Sequence, residues 1–161
     1  MKTETLKNIF EFLEENEGHQ TPFLWKLLNN EPFTDEELIF KGDLDLRPGR
    51  VDYTVIESLP DGLKVDGNLD LSDTEIRTLP KGLEVGKFLD LRNCTSLISL
   101  PQGLKVGVAL DLQNCANLTS LPKGLEVGDD LFIDRTALTK YTNAQLRKMI
   151  KPGFIKGKIN R

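Results

Sequence analysis

The sequence predicts a repeat solenoid in which short parallel strands stack turn on turn, with helices at both ends. Three observations carry this prediction. First, SLPDGL, TLPKGL, SLPQGL and SLPKGL recur, with their leucines at 59, 79, 100 and 121. Second, a valine follows each segment at a fixed offset (Val65, Val85, Val106 and Val127). Third, each valine precedes a triplet of the form Leu-x-Leu or Leu-x-Ile, beginning at Leu69, Leu89, Leu110 and Leu131.

The N-terminal region, residues 1–38, predicts a helical cap. Leu6, Ile9, Phe10 and Leu13 have the spacing of one helix face. A second helix is expected to open at Thr21-Pro22, since proline suits a first helical turn. The run Thr34-Asp35-Glu36-Glu37 has the capping-box pattern before Leu38, Ile39 and Phe40, so two or three short helices are expected in this region.

The central region, residues 39–139, predicts about five stacked repeats, the first containing Leu44-Asp45-Leu46. Alternation in each triplet places both aliphatic side chains on one face and the middle residue on the other. Such short strands bury their leucines only by stacking on neighbours in a parallel ladder. The Pro and Gly of each LPxGL segment favour a turn, so the return side is expected to be extended.

The C-terminal region, residues 140–161, predicts one cap helix and a basic tail. Thr142 to Gln145 repeats the capping-box pattern, and Pro152-Gly153 ends the helix. This region carries seven basic residues and no acid, whereas residues 1–45 carry a net charge of −7. On this interpretation, residues 154–161 are dispensable for folding.

At LDLRNCTSL and LDLQNCANL the sequence resembles the leucine-rich repeats, whose pattern is L-x-L-x-x-N/C-x-L. The 20 to 21 residue period with Leu-Pro in every turn is similar to the short bacterial and phage subtype, found in secreted effector proteins. The resemblance implies a capped solenoid that binds a protein through its concave strand face. Some such effectors carry a ubiquitin-ligase domain after the repeats, and that activity is not expected in these 161 residues. The chain departs from the pattern by inserting Val-Gly-x-x before the triplet and by often lacking the Asn.

Composition argues against catalysis, metal binding and membrane insertion. Two cysteines and one histidine are too few for the usual four-ligand zinc site, and no cofactor is expected. His19, between two predicted helices, is interpreted as a surface residue. Cys94 and Cys115 lie one repeat apart, where packing is the expected role. Without an apolar run of about 18 residues or a signal peptide, the expected location is the cytoplasm.

The candidate binding surface consists of outward side chains on the concave strand face. A row of aspartates is expected there, in which like charges about 4.8 Å apart repel one another. Arg47 and Arg92 are expected to offset part of that repulsion, so a purely structural origin of the row stays open beside partner binding. Exposed Phe88 and Phe132 are candidate anchors. The predicted set is Asp45, Asn68, Asp70, Phe88, Asp90, Arg92, Asp111, Gln113, Asp130 and Phe132.

The function expected from these residues is non-enzymatic binding of a basic or amphipathic protein partner, with a monomeric chain favoured. One alternative is an assembly component that associates through its acidic body and basic end. Another is weak nucleic-acid binding, with Tyr141 and Phe154 stacking on bases. The basic residues concerned are Arg147, Lys148, Lys151, Lys156, Lys158 and Arg161.

Overall fold

The computed structural model of the chain describes residues 21–48 and 58–161. The predicted first helix, with Leu6 to Leu13, and His19 lie outside these residues, as does most of the insertion between the first two repeats, residues 49–57. The remaining chain forms a parallel β-solenoid made of two sheets, each of six two-residue strands.

The first sheet, here called the valine sheet, pairs alternate strands in the order β1, β3, β5, β7, β9 and β11. Its strands are Ile39–Phe40, Lys64–Val65, Glu84–Val85, Lys105–Val106, Glu126–Val127 and Phe154–Ile155. The second, the leucine sheet, pairs β2, β4, β6, β8, β10 and β12. Its strands are Leu44–Asp45, Leu69–Asp70, Leu89–Asp90, Leu110–Asp111, Leu131–Phe132 and Ile159–Asn160.

The core fills the space between the sheets and the LPxGL side of the coil. In the valine sheet the second residue of each strand is buried, and in the leucine sheet the first is buried, so each sheet has one inward row. Leu110, at the centre of the leucine sheet, is 0% exposed. The predicted inward direction of the leucine triplets is therefore confirmed, and Leu63, Leu83, Leu104 and Leu125 add a further buried row.

Glycine lies at the corner between the two sheets because successive turns approach too closely for a side chain. A Cβ built on Gly107 would lie 2.0 Å from the carbonyl oxygen of Gly86, and one on Gly128 would lie 1.9 Å from that of Gly107. Real contacts of this kind start above about 3 Å, so these two positions admit glycine alone. The Val-Gly insertion noted in the sequence is thus the corner that joins the two sheets.

The LPxGL segments form the turns on the third side. Gly62, Gly82, Gly103 and Gly124 have φ values of +71° to +81°. That region of backbone conformation costs glycine little and other residues much more, which explains its recurrence. Stacking continues along this side, since Gly62 N–H donates to the Lys81 carbonyl at 2.7 Å.

At the N-terminal end, helix α1 (Thr21–Asn29) packs against the first turn of the coil. The ring of Phe23 lies 5.2 Å from that of Phe40 in an edge-on arrangement. No third helix forms at residues 34–38. Thr34 and Glu37 do exchange the two capping-box hydrogen bonds, but only one turn follows, because Ile39 and Phe40 enter the valine sheet as β1.

At the C-terminal end, a 3-10 helix (Ala137–Lys140) leads into α2 (Asn143–Met149), which has the predicted capping box between Thr142 and Gln145. The prediction of a tail over residues 154–161 is wrong. Phe154–Ile155 and Ile159–Asn160 are β11 and β12, and they extend both sheets by one strand. Ile155 is 2% exposed and Ile159 is 7% exposed, so this last turn belongs to the core.

Candidate functional site

The predicted aspartate row occupies the outer face of the leucine sheet. Asp45, Asp70, Asp90 and Asp111 are the second residues of β2, β4, β6 and β8, and the parallel register aligns them from turn to turn. All four are half-buried, so their carboxylates lie on the surface without projecting freely from it. We call this set the aspartate row.

Each carboxylate in the row accepts a hydrogen bond from the main chain two residues later. The donors are the N–H groups of Arg47, Ser72, Arg92 and Gln113, at 3.0 to 3.2 Å. An aspartate used in this way closes the bend that ends the strand. The row therefore has a structural role in every turn that carries it.

Two arginines offset the repulsion between the carboxylates. Arg47 bridges the first two turns, with contacts of 2.6 Å to Asp45 and 3.1 Å to Asp70. Arg92 lies 2.6 Å from Asp90 and 3.8 Å from Asp111 and so spans the next two. The pKa of Arg47 is raised, mainly by its hydrogen bonds to Asp45. The pKa of Arg92 is raised in the same way, mainly by its hydrogen bonds to Asp90.

Asp111 is the least compensated member of the row. Its Arg92 contact is the longest of the four, and burial, with a further contribution from the Asp90 charge, raises the pKa of its carboxyl above the ordinary value. The hydrogen bond from Gln113 N–H acts in the opposite direction. Gln113 itself is half-buried and belongs to the site mainly through this main-chain contact.

A second outward row, one residue before the leucine sheet, also holds the turns together. The amide oxygen of Asn68 accepts from Phe88 N–H at 3.1 Å. Asp130 accepts from Lys158 N–H at 2.6 Å and from the Asn160 side chain at 3.3 Å. Like the aspartates, these predicted site residues accept structural hydrogen bonds, here from the following turn of the coil.

The two predicted anchors differ in exposure. Phe88 is 50% exposed and is one of the most exposed large apolar residues that the structure describes. Phe132 is half-buried in β10, so it presents less surface to a partner. Two positions in the rows beside them, Ala109 and Ser72, are buried, and the Ser72 hydroxyl donates to Asp70 at 2.7 Å.

The basic residues assigned to a tail do not share one role, and Arg147 has a structural one. Arg147, on α2, donates to the carbonyl oxygens of Ile155 and, at 2.8 Å, Gly157. In earlier turns the equivalent carbonyls accept N–H groups of the next turn, as Val65 accepts from Gly86 and Gly67 from Lys87. Arg147 thus supplies the donors that a further turn would provide.

The other basic residues are partly engaged. Arg161 donates to the Tyr141 carbonyl at 2.8 Å, and Lys156 lies over the Phe154 ring at 5.5 Å. Lys148, Lys151 and Lys158 are exposed. The arrangement does not form one continuous basic strip, since the two arginines are directed at the main chain.

Both cysteines are buried and free. Each thiol donates to a main-chain carbonyl of the preceding turn, Cys94 to Leu71 at 3.1 Å and Cys115 to Leu91 at 3.0 Å. Burial raises the pKa of Cys115 to about 12 and also raises that of Cys94. Such thiols are poor nucleophiles and reinforce the stacking.

Sequence reasoning overlooked the outer face of the valine sheet. Its first residues form an aligned row that alternates in charge, here called the Lys–Glu row: Lys64, Glu84, Lys105 and Glu126. Glu84 lies 3.6 Å from both Lys64 and Lys105. Beside the row runs an open groove of about 410 Å³, along Gly86, Gly107 and Gly128. The alternation of Lys-Val and Glu-Val before each corner glycine was the available signal.

Comparison with known proteins identifies no relative. No protein-family model, curated protein or solved structure matches the chain. Within residues 21–48 and 58–161, no cluster of His, Cys, Asp and Glu could hold a metal ion. In the same part of the chain no helix has the length and apolar character needed to cross a membrane.

Proposed function

We propose that this chain is a non-enzymatic protein-binding module of the leucine-rich-repeat type, which binds a basic or amphipathic partner on the outer face of the leucine sheet. The observation that carries the proposal is the position of Phe88, half-exposed on a face of fixed carboxylates. Phe88 and Asp90 flank the buried Leu89, so period-two alternation places them on the same face.

Charge favours a cationic partner. Three rows are counted: the aspartate row, the row two residues before it and the row two residues after it. Together they contain three cations, Arg47, Arg92 and Lys158, and seven carboxylates, Asp43, Asp45, Asp70, Asp90, Asp111, Asp130 and Asp134. An excess of one sign over a surface steers oppositely charged partners to it and increases the rate of association. An exposed aromatic side chain within that field then supplies short-range burial.

Fixed side chains favour binding. Asp70 and Asp90 are held by main-chain N–H groups, and the Arg92 guanidinium is held by three hydrogen bonds to Asp90. Side chains that are already ordered lose little conformational entropy when a partner covers them. The main-chain hydrogen bonds thus serve both stability and recognition.

The biological setting belongs to the same proposal. The likeness of LDLRNCTSL and of the Leu-Pro turns to secreted bacterial effectors favours a bacterial or phage protein that acts on a host protein, without catalytic activity of its own. Buried thiols of raised pKa are consistent with a non-catalytic role. A cytoplasmic location for this chain is part of the same proposal.

A random peptide library selected on the whole chain tests the proposal. The selected peptides are expected to be rich in Lys and Arg together with an apolar residue. Phe88→Ala should weaken their binding by about 30-fold or more, the loss that defines an anchor. Asp90→Asn, which keeps an acceptor oxygen, should mainly slow association.

Ile98→Ala is the matched control, because Ile98 is 58% exposed but lies on the third side of the coil. It should leave binding unchanged. Selected peptides without a basic excess, or peptides that respond equally to Ile98→Ala and Phe88→Ala, would show that this face is not the binding surface.

A further inference from the structure

We propose that the outer face of the valine sheet is a self-complementary surface on which a second copy of this chain docks about a two-fold axis. The observation is the order of the outward residues along the sheet. From β1 to β11 it reads Ile39, Lys64, Glu84, Lys105, Glu126 and Phe154. The surface is separate from the one proposed for partner binding.

This order is its own complement when one copy is reversed against the other. A two-fold axis along the strand direction, between β5 and β7, places turn one of one copy opposite turn six of the other. Lys64 then faces Glu126, Glu84 faces Lys105, and Ile39 faces Phe154. Within the row every opposition is cation to anion or apolar to apolar, so the row has the self-complementarity of an isologous interface.

Other arrangements of the same two faces are unfavourable. An axis along the stack of strands would set each residue opposite its own copy, Lys64 on Lys64 and Glu84 on Glu84. A reversed copy displaced by one turn would oppose Lys64 to Lys105 and Glu84 to Glu84. Like charges held together destabilise an interface, so the row specifies the axis and the register.

The burial and contacts of these residues fit such a role. Ile39 and Phe154, at the ends of the row, are 42% and 41% exposed, although both are large apolar residues. Among the described residues Glu126 has no ion-pair partner, so a Lys64 from a second copy would give it one. Glu84 already lies 3.6 Å from two lysines and would gain a third.

The groove beside the row allows close approach. Gly86, Gly107 and Gly128 line it and carry no side chain, so the Lys and Glu side chains of a second copy have room to lie across the main chain. At the two ends Lys41 and Lys156 would oppose each other, but each has a partner in its own chain. Lys41 lies 2.8 Å from Asp66, and Lys156 lies over the Phe154 ring.

The dimer is expected to be weak. Six strands spaced by about 4.8 Å give a row about 24 Å long. One strip of side chains of that length covers well below the roughly 800 Å² per partner of standard interfaces. Association should therefore be concentration-dependent and, because the paired charges are exposed, sensitive to salt.

Sedimentation equilibrium of the whole chain at low and at about 1 M salt, where the Debye length falls to about 3 Å, measures this directly. We expect a monomer–dimer equilibrium whose dissociation constant rises at least about 10-fold at high salt. Lys64→Glu alone and Glu126→Lys alone should each weaken the dimer by about 10-fold or more, since both symmetric contacts become repulsive. A wild-type chain that stays monomeric at the highest soluble concentration in low salt would overturn the proposal.

Mixing the two single variants is the sharper experiment. In a heterodimer of Lys64→Glu with Glu126→Lys, both contacts between positions 64 and 126 again join opposite charges. The equimolar mixture should therefore dimerise at least as tightly as the wild type. Variants Lys123→Glu and Glu75→Lys make the same charge changes outside the row, and neither should alter the dimer. Failure of the mixture to recover association would contradict the two-fold arrangement, as would an equal loss in the Lys123→Glu control. Association through the acidic body and basic end predicts no such rescue.

Discussion

The two outer faces of the coil carry charged side chains at the same period but use them differently. On the leucine sheet, four carboxylates of one sign lie in a row, and each accepts a main-chain N–H of its own turn. On the valine sheet, Lys and Glu alternate, and their contacts are exposed ion pairs at 3.6 Å between side chains alone.

This difference shows how a repeat can keep an arrangement that electrostatics alone disfavours. A like-charge row persists where each charge completes a strand-ending bend and arginines bridge the turns. The alternating row compensates itself, since its charges already alternate in sign, and it contributes little to stability, because exposed ion pairs are worth about 0 to 1 kcal/mol. Substitutions in the aspartate row should therefore destabilise the fold more than substitutions in the Lys–Glu row.

The largest expected effect comes from the corner that joins the two faces. Gly107→Ala would place a Cβ 2.0 Å from the Gly86 carbonyl oxygen, and the main chain has no room to yield. We expect a loss above about 4 kcal/mol, or no folded protein, by denaturant titration or circular dichroism.

Gly103→Ala is its matched control. Gly103 has a φ of +71°, but a Cβ there meets nothing within 4 Å. Its cost should be about 1 to 2 kcal/mol, the price of the left-handed conformation alone. Similar losses at the two glycines would show that close packing at the corner is not the constraint.

The next largest loss of stability is expected from a substitution in the core between the two sheets. Leu110→Ala removes a fully buried side chain from a strand with neighbours on both sides, so the cavity has little freedom to collapse. A free-energy loss of about 2 to 5 kcal/mol is expected in a urea titration. Val108→Ala, at a half-buried neighbouring position, should cost under about 1 kcal/mol, and a reversed order would place the core elsewhere.

The end of the valine sheet offers a smaller effect. Arg147→Gln should cost about 1 to 2 kcal/mol, because the carbonyls of Ile155 and Gly157 lose their charged donor. Lys148→Gln makes the same charge change on the same helix at an exposed position and should stay within about 0.5 kcal/mol. Thermal unfolding of both variants measures the contrast. Equal shifts would indicate a general charge effect in place of these hydrogen bonds.

The smallest expected effect is at Asp111, where two substitutions separate the contribution of the charge to stability from that of the hydrogen bond. Asp111→Asn keeps an acceptor for Gln113 N–H and removes a poorly compensated charge, so it should be neutral or slightly stabilising at pH 7. Asp111→Ala should cost about 1 kcal/mol, because that N–H loses its acceptor. From the sequence alone, which shows the like-charge row but not this hydrogen bond, a neutral or stabilising Ala variant would be expected.

The pH dependence of stability in the wild type and in Asp111→Asn tests the direction of the Asp111 pKa shift. Because the folded-state pKa of Asp111 lies above 3.8, the folded chain binds more protons than the unfolded chain just above that pH. The contribution of Asp111 to stability should therefore fall as pH rises through this window, and Asp111→Asn should remove the fall. An Asn variant that loses stability with rising pH as the wild type does would exclude Asp111 as the cause.

The parts of the fold that depend on hydrophobic period were predictable. Leu-x-Leu triplets at a spacing near 21 specify parallel strands and inward leucines, and both are observed. The valine sheet was not recognised, since two residues such as Glu84–Val85 followed by glycine match turn and strand equally well. Only the clash that a Cβ would cause at that glycine shows it to be a corner between sheets.

The last turn was missed for a related reason. It lacks a leucine triplet, and helix α2 separates it from the preceding turn, so its period is broken. The spacing of Ile155, Gly157 and Ile159 nevertheless repeats that of Phe40, Gly42 and Leu44. At the candidate site, the sequence located Phe88 and the aspartates, but main-chain hydrogen bonds to their side chains leave no signature in composition.

The central claim, that the aspartate row is built into the turns whereas the Lys–Glu row is not, is tested most directly by one matched pair in a single turn. Asp90 and Glu84 are both carboxylates with neighbours on either side in their rows, and both contact cations. In parallel urea titrations Asp90→Ala should cost about 1 to 3 kcal/mol, because the Arg92 N–H and guanidinium lose their acceptor, whereas Glu84→Ala should stay within about 0.5 kcal/mol. Equal losses, or a larger loss for Glu84→Ala, would contradict the account.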